Sequence, residues 1–243
     1  MNHSDKIALP PDSSIYLCAP VNALVEGIYE ENIHLSEILK HGDFGLGTFD
    51  DLDGEMIILD GHCYQINSAG KVLEVGEQVL TPFAAVTFYV AGDHYELNEP
   101  TSAGQFMRWL NDLLPSPNLF YAIRIEGEFA HLKVRSVPKQ ANYRPLSAIN
   151  NEQVVFEFDN ITGTLAGFFT PDFLSSLSVP GLHLHFLSAD RQHGGHLLEC
   201  VPRQIRAGIQ LINKMELSLP LTSDYLRWDF HRNIRQDLDK VEK

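Results

Sequence analysis

The sequence predicts an α/β (α+β) fold in which short strands outnumber short helices. Alternating or wholly apolar segments recur between turns rich in Gly, Asn and Asp, as at residues 56–59, 62–66 and 72–75. Segments of this length and pattern are typical of β-strands. Apolar residues at helical spacing form one long pattern, which follows Ser102.

The N-terminal part begins with two short helical patterns, at residues 21–29 and 35–39. The following segment, residues 41–55, is rich in Gly and Asp, which is typical of turns rather than of a core. Strand patterns then continue from residue 56 to residue 90. Because short turns separate them, we expect an antiparallel meander.

The clearest helix begins at Thr101 or Ser102, either of which can cap its N-terminus. Its apolar side chains recur at helical spacing, so one face is predicted to pack on the core. Strands are predicted at residues 120–126 and 129–137. Alternation in the second of these places Arg135 on the side opposite its apolar neighbours.

The C-terminal part is predicted to hold strands at residues 154–158 and 164–169, with a turn between them at residues 160–163. A boundary is predicted after residue 145. It divides the chain into an N-terminal α/β half, residues 1–145, and a C-terminal half, residues 146–243, which carries a charged, weakly helical tail.

A metal site is predicted on a β-hairpin in the C-terminal half. His183 and His185 are two residues apart in an alternating run, so a strand directs both to one face. A polar loop follows, and an antiparallel return brings His196 beside them. His183, His185 and His196, called here the three-histidine group, match the three protein ligands that catalytic zinc commonly takes. His193 is a competing ligand, but its place in the loop favours a surface position.

Composition limits the classes of partner. The formal net charge is −14, which argues against nucleic acid and anionic membrane surfaces, because both attract basic patches. A small-molecule substrate is expected instead. The cysteines are three in number and far apart, the N-terminus has no basic segment followed by an apolar one, and no apolar run spans a bilayer. We therefore expect a cytoplasmic protein with no membrane association.

Four segments together resemble the alpha-acetolactate decarboxylase family. They are the Gly- and Asp-rich run GDFGLGTFDDLDGEMIILDG at residues 42–61, FYAIRIEG at 120–127, VRSVPKQ at 134–140, and the hairpin that carries the three-histidine group. The resemblance runs from the first helical pattern to the end of the chain, and the motifs keep their order and spacing. It implies two α/β halves packed around the site and a homodimer.

The resemblance also implies an activity, the decarboxylation of 2-acetolactate to acetoin and carbon dioxide with Zn2+ held by the three-histidine group. It places the family's active-site glutamate on Glu55, its arginine on Arg135 and its C-terminal acidic residue on Glu242, and it matches Thr48 to a threonine that lines the site. Without the resemblance, Glu55 is typical of a solvated turn, Arg135 of a surface charge and Glu242 of a terminus.

Two alternatives remain open on the sequence. A metal enzyme of the cupin type also has an HxH pair followed by a further histidine, but it generally adds a carboxylate soon after the pair. Asp190 and Glu199 are not at that spacing, and the segments around Glu55 and Arg135 would have no explanation. The second alternative is a non-catalytic module that binds a metal or a small molecule.

Overall fold

The computed structural model describes residues 13–29, 33–99, 101–232, 234, 235, 237 and 238. Strands predominate among these residues, and the predicted α/β (α+β) class is confirmed. The strands are β1 (Ser14–Leu17), β2 (Ile33–His34), β3 (Phe44–Thr48), β4 (Glu55–Leu59), β5 (His62–Ile66), β6 (Val72–Glu74), β7 (Leu80–Thr81), β8 (Ala84–Thr87), β9 (Asp93–Leu97), β10 (Phe120–Ser136), β11 (Val154–Thr170), β12 (Gly181–Ser188), β13 (Gly194–Ile212) and β14 (Lys214–Leu217). The α-helices are α1 (Val21–Glu26), α2 (Leu35–Ile38), α3 (Ala103–Asp112), α4 (Leu146–Ile149) and α5 (Ser223–Arg227).

One sheet has seven strands in the order β14-β1-β8-β3-β4-β5-β6. Strands β4, β5 and β6 are consecutive antiparallel neighbours, as in the predicted meander, but β8, the last strand of that prediction, pairs with β3 and β1 instead. The prediction of turn rather than core for residues 41–55 is wrong at β3, which is a fully buried strand next to β4. The outer pairing of β1 with β14 is parallel. A separate small sheet joins β2 to β7.

The second sheet has five strands in the order β10-β11-β12-β13-β9, and β10 also pairs with β13. The pairings among β10 to β13 therefore close on themselves. The predicted turn at residues 160–163 is wrong, because β11 runs through it unbroken. Gly163 lies opposite Gly127 there. A Cβ on Gly127 would lie 2.1 Å from the carbonyl oxygen of Gln204, so this glycine permits the close approach that keeps the long strands continuous.

The two sheets do not follow the predicted boundary after residue 145, which stays a prediction about folding units. Strands β9 and β10 precede the boundary and belong to the five-stranded sheet. Strand β14 follows the boundary and pairs with β1 in the seven-stranded sheet. Each sheet therefore takes strands from both sides of the boundary.

An apolar layer lies between the sheets. Phe44, Leu46 and Ile57 of the seven-stranded sheet pack with Phe168 and Leu187 of the five-stranded sheet in one buried cluster. Because alternate residues of a strand share a face, Thr48 and Glu55 continue the first set and His183 and His185 continue the second. The layer thus changes from apolar to polar at one end.

Helix α3 packs on the face of the five-stranded sheet that is turned away from the seven-stranded sheet. Ser102, one of the two predicted caps, begins it in a capping box with Gln105, and its buried residues Phe106 and Leu110 pack on that face. The three cysteines are free thiols and buried. Among the described residues, no helix combines the length and the apolar character needed to cross a membrane.

Candidate active site

The three-histidine group lies at the polar end of the inter-sheet layer. Strands β12 and β13 are antiparallel neighbours, and His185 lies directly opposite His196. One ring nitrogen of each histidine lies within 4.8 Å of the others. The side chains are nearly inaccessible to solvent, with 9%, 1% and 2% exposed for His183, His185 and His196. The hairpin therefore brings the three imidazoles together in the way the spacing predicts.

One hydrogen bond sets the orientation of His185. Its Nδ1 lies 2.7 Å from the carbonyl oxygen of Met56. A carbonyl oxygen only accepts, so Nδ1 carries the proton and Nε2 presents its lone pair. The buried Nε2 makes no hydrogen bond to a described residue and lies 3.4 Å from Oε2 of Glu55. A buried lone pair beside two further imidazoles fits a divalent metal ion.

Burial keeps the imidazoles of His183 and His185 neutral. It lowers the pKa of His183 to about 3, and the positive charge of Arg135 contributes in the same direction. The pKa of His185 lies well below its ordinary value because of burial and the neighbouring His183. Metal ligation requires the neutral form of histidine, so both side chains are in the required state at pH 7.

Glu55 and Arg135 form a buried ion pair beside the histidines. Nη1 of Arg135 donates to Oε1 of Glu55 over 2.5 Å, and the two side chains are 3% and 7% exposed. Arg135 lies near the end of β10 and directly opposite His196 of β13. A single buried charge would be very unfavourable, so each partner compensates the charge of the other inside the protein.

A tight turn delivers Glu55 to this position. Gly54 precedes it with a φ of +86°, and a Cβ there would lie 2.2 Å from the carbonyl oxygen of Ile66. Thr48 lies opposite Glu55 in the β3–β4 pairing, and its hydroxyl donates to the carbonyl oxygen of Gly54 over 2.8 Å. The turn is therefore held from both sides.

A cavity of about 50 Å³ opens onto these groups, which is room for a few water molecules. Thr48, Glu55, Arg135, His183 and His185 line its polar side. The apolar side was not predicted, because its residues come from α1, α4 and four separate loops and share no motif. They are Val21, Leu24, Leu52, Phe83, Val137, Leu146 and Val179.

Comparison with known proteins identifies the family. The family described as alpha-acetolactate decarboxylase matches residues 15–232. Relatives of that name from Methanosarcina mazei and Bacillus licheniformis are 39% and 36% identical, each over 94% of this chain and over 80% and 92% of their own. The chain belongs to the alpha-acetolactate decarboxylase family.

Solved structures of the family share the fold. The crystal structure of alpha-acetolactate decarboxylase from Bacillus subtilis strain 168 matches with a TM-score of 0.91 at 36% identity, over 94% of this chain and 99% of that chain. A Staphylococcus aureus protein described as similar to alpha-acetolactate decarboxylase matches with a TM-score of 0.87 at 26% identity.

Six of the seven site residues that the family resemblance implies lie together in this structure. Thr48, Glu55 and Arg135 border the cavity with His183 and His185, and His196 completes the three-histidine group. The seventh, Glu242, lies outside the described residues.

Proposed function

We propose that the protein decarboxylates 2-acetolactate to acetoin and carbon dioxide, with Zn2+ held by the three-histidine group. The observation that carries the proposal is the contact between a buried arginine–glutamate pair and a group of three buried imidazoles in a member of this family. The arrangement offers a cation for the substrate carboxylate, a group for proton transfer and a metal site within one small cavity.

The donor set supports a metal with an open coordination position. Three neutral imidazoles leave the full charge of a divalent ion available, whereas thiolate ligands would neutralise it. When bound, the ion supplies a Lewis acid that stabilises negative charge developing on the substrate oxygens. Zinc is our choice because three-histidine sites are typical of catalytic zinc, although other divalent ions bind such sites as well.

Arg135 is proposed to bind the carboxylate of 2-acetolactate. A guanidinium group presents parallel N–H donors that match a carboxylate, and its charge is permanent. Loss of carbon dioxide leaves an electron pair on the former α-carbon, which delocalises into the neighbouring ketone as an enediolate. Arg135 then faces this negative charge, which strengthens the interaction in the transition state rather than in the ground state.

Glu55 is proposed to move protons. It accepts the proton of the substrate hydroxyl and delivers it to the carbon that lost carbon dioxide, and a second proton, taken up from solvent, restores the hydroxyl and completes acetoin. Its placement suits this role, because one carboxylate oxygen contacts Arg135 and the other lies 3.4 Å from His185. Thr48 keeps the turn before Glu55 in place through its hydrogen bond to Gly54.

The homodimer, the cytoplasmic location and a catalytic contribution from Glu242 remain predictions, the location from the cysteines and the N-terminal segment and the other two from the family resemblance. Size-exclusion chromatography with light scattering tests the first. Glu242→Gln tests the last, because loss of a catalytic carboxylate is expected to lower kcat without changing the metal content.

The deciding experiment measures acetoin after 2-acetolactate is added to the purified protein. We expect acetoin and carbon dioxide in equal amounts, loss of activity with a chelator and recovery with Zn2+. The reaction should proceed equally well without oxygen, whereas dependence on oxygen would favour the cupin-type alternative. A protein that binds zinc but forms no acetoin would favour the non-catalytic alternative.

The metal site has its own test. His185→Ala is expected to lower bound zinc, measured by elemental analysis, by at least tenfold, because one of the three proposed metal ligands is lost. His231→Ala is the matched control, since that side chain is 98% exposed. Full zinc occupancy in His185→Ala would contradict the proposed ligand set.

A further inference from the structure

A second cleft, away from the candidate active site, has a volume of about 230 Å³. It is lined by Tyr89, His94, Arg124, Glu126, Arg206 and Gly208, and none of these residues lines the cavity at the three-histidine group. The reaction proposed above uses none of its groups. We call it the Tyr89 cleft.

Gly208 forms the floor of the Tyr89 cleft. In the five-stranded sheet it lies between His94 of β9 and Arg124 of β10, both directly opposite it. Residues opposite one another in a sheet point to the same face, so both side chains stand beside the glycine. A Cβ on Gly208 would lie 2.4 Å from the hydroxyl oxygen of Tyr89 and 3.5 Å from Nε2 of His94. The missing side chain therefore keeps the cleft open.

The hydroxyl of Tyr89 is buried and makes no hydrogen bond to any residue that the structure describes. It cannot simply turn to solvent, because two contacts hold the residue. The backbone N–H of Tyr89 donates to Asp43 over 2.9 Å, and its ring stacks on Phe44 with 4.6 Å between the ring centres. A buried polar group that the fold holds without a partner is unfavourable and indicates a missing ligand or water.

The two arginines of the Tyr89 cleft differ in their ion pairs. Arg124 contacts Asp60 over 2.6 Å and Glu126 over 2.7 Å. Arg206 is exposed and forms no ion pair with any described residue, although Glu126 lies opposite it on β10 and Glu96 on β9. Arg206 is therefore the cation available to a ligand in a chain whose net charge is strongly negative.

We propose that the Tyr89 cleft binds a small oxyanion, a carboxylate or a phosphate. Arg206 supplies the compensating charge, and the hydroxyl of Tyr89 donates a hydrogen bond to one anion oxygen. Arg124, whose guanidinium is already fixed by two carboxylates, lines one side of the cleft, and His94 lines the other side across Gly208. The Arg206 guanidinium and the Tyr89 hydroxyl, neither of which has a partner among the described residues, both line this one opening, which the absence of a side chain at Gly208 leaves unfilled.

The test titrates inorganic phosphate and acetate separately into the metal-loaded protein in a chloride-free buffer, with isothermal calorimetry as the measurement. Saturable binding is expected for at least one anion, and the tighter one identifies the class. The double variant Glu55→Leu/Arg135→Met, which removes both charges of the candidate active site, should retain this binding. Loss of binding in this variant while it remains folded would overturn the assignment to the Tyr89 cleft.

Two variants localise the anion. Tyr89→Phe and Arg206→Met are each expected to weaken binding by roughly tenfold or more, because each removes one hydrogen-bonding or charged partner of the anion. Arg203→Met is the matched control: Arg203 lies on the same strand, is exposed and donates to Asn160, so its loss should leave the affinity unchanged.

Thermal unfolding tests whether the Tyr89 cleft holds an anion or only water. Without added anion, Tyr89→Phe should unfold at the same temperature as the parent protein or higher, since the lost hydroxyl has no partner among the described residues. With saturating anion, the parent protein should gain more in Tm than Tyr89→Phe. No saturable binding of either anion, or equal affinity in Tyr89→Phe, would overturn the proposal. Acetoin formation should be the same in Tyr89→Phe, which keeps this test independent of the proposed function.

Discussion

Two arginines of strand β10 meet carboxylates at the two ends of strand β4, in very different surroundings. Arg135 pairs with Glu55, the first residue of β4, and the two side chains are 3% and 7% exposed. Arg124 pairs with Asp60, directly after β4, and these are 22% and 68% exposed. The hydrogen bonds are almost equally short, at 2.5 and 2.6 Å. Contact geometry alone therefore does not distinguish the functional pair.

The degree of burial distinguishes the Arg135–Glu55 pair from the Arg124–Asp60 pair. An exposed ion pair contributes about 0–1 kcal/mol to stability, because water screens the charges and the side chains lose freedom. A buried pair has a large desolvation penalty and is often no better for stability than apolar residues of the same volume. The Arg135–Glu55 pair also borders the three-histidine group and the cavity. We infer that it is present for its chemistry, whereas the Arg124–Asp60 pair is a surface contact between the sheets.

The largest expected effect is on catalysis, at the buried end of β4 where Glu55 lies. Glu55→Gln keeps the shape of the side chain and removes its capacity to take up a proton, so kcat for acetoin formation should fall by about 10²–10⁴-fold. Bound zinc should be unchanged, because Glu55 is not among the proposed ligands. Near-normal turnover, or a Glu55→Gln protein that is purified without metal, would contradict the assigned role.

The next effect is on stability. Arg135→Met leaves the Glu55 carboxylate buried without its cation, and the free energy of unfolding, measured with urea, should fall by about 3–5 kcal/mol. The double variant Glu55→Leu/Arg135→Met removes both charges, so it should be clearly more stable than Arg135→Met. Simple additivity of the two single changes would show that the buried charges are not coupled.

Sequence reasoning predicted the parts of the site that depend on local pattern. The alternation at His183 and His185 directs both side chains to one face, and α3 begins where a cap at Thr101 or Ser102 was predicted. Both predictions depend only on neighbours within a few residues. The prediction that Arg135 lies on the side of its strand opposite its apolar neighbours was also correct. These predictions need the period of a strand or a helix and nothing from the rest of the chain.

The rest depends on contacts between distant residues. Glu55 and Arg135 are 80 residues apart in sequence, and their pairing requires the register of two different sheets. In the sequence, Arg124 and Arg135 are both arginines of strand-like segments, and nothing local indicates which one is buried. The unbroken course of β11 through residues 160–163 was missed because turn-forming residues can also lie within a bent strand when a partner strand approaches closely.

The glycines that flank β4 extend the same comparison with a smaller effect. Gly54 and Gly61 both have positive φ, at +86° and +80°, but only a Cβ on Gly54 meets backbone, at 2.2 Å, whereas Gly61 has open space around it. Gly61→Ala should therefore cost about 1–2 kcal/mol, the penalty of the left-handed conformation. Gly54→Ala should cost distinctly more and should also lower kcat, because the turn before Glu55 must move. Urea unfolding of the two variants measures the loss in free energy of unfolding. Equal losses would contradict the prediction, because they would show that the close contact at Gly54 adds nothing to the cost of the left-handed conformation.

The smallest effect is expected at the exposed pair. Asp60 has a φ of +54°, which asparagine also adopts readily. Asp60→Asn therefore removes the charge that Arg124 contacts without straining the backbone. The free energy of unfolding should change by about 1 kcal/mol or less, and kcat should not change.

This small difference has a defined pH dependence. Arg124 lowers the pKa of the Asp60 carboxyl below its ordinary value of 3.8, so the folded state favours the charged form. The stabilisation is therefore present above about pH 4 and lost as the pH falls through the folded-state pKa, where the parent protein and Asp60→Asn should become equally stable. Added salt should reduce the difference at neutral pH, because the pair is exposed. A loss at neutral pH as large as that of Arg135→Met would mean that exposure does not separate the two ends of β4, and the assignment of the buried pair to catalysis would lose its energetic argument.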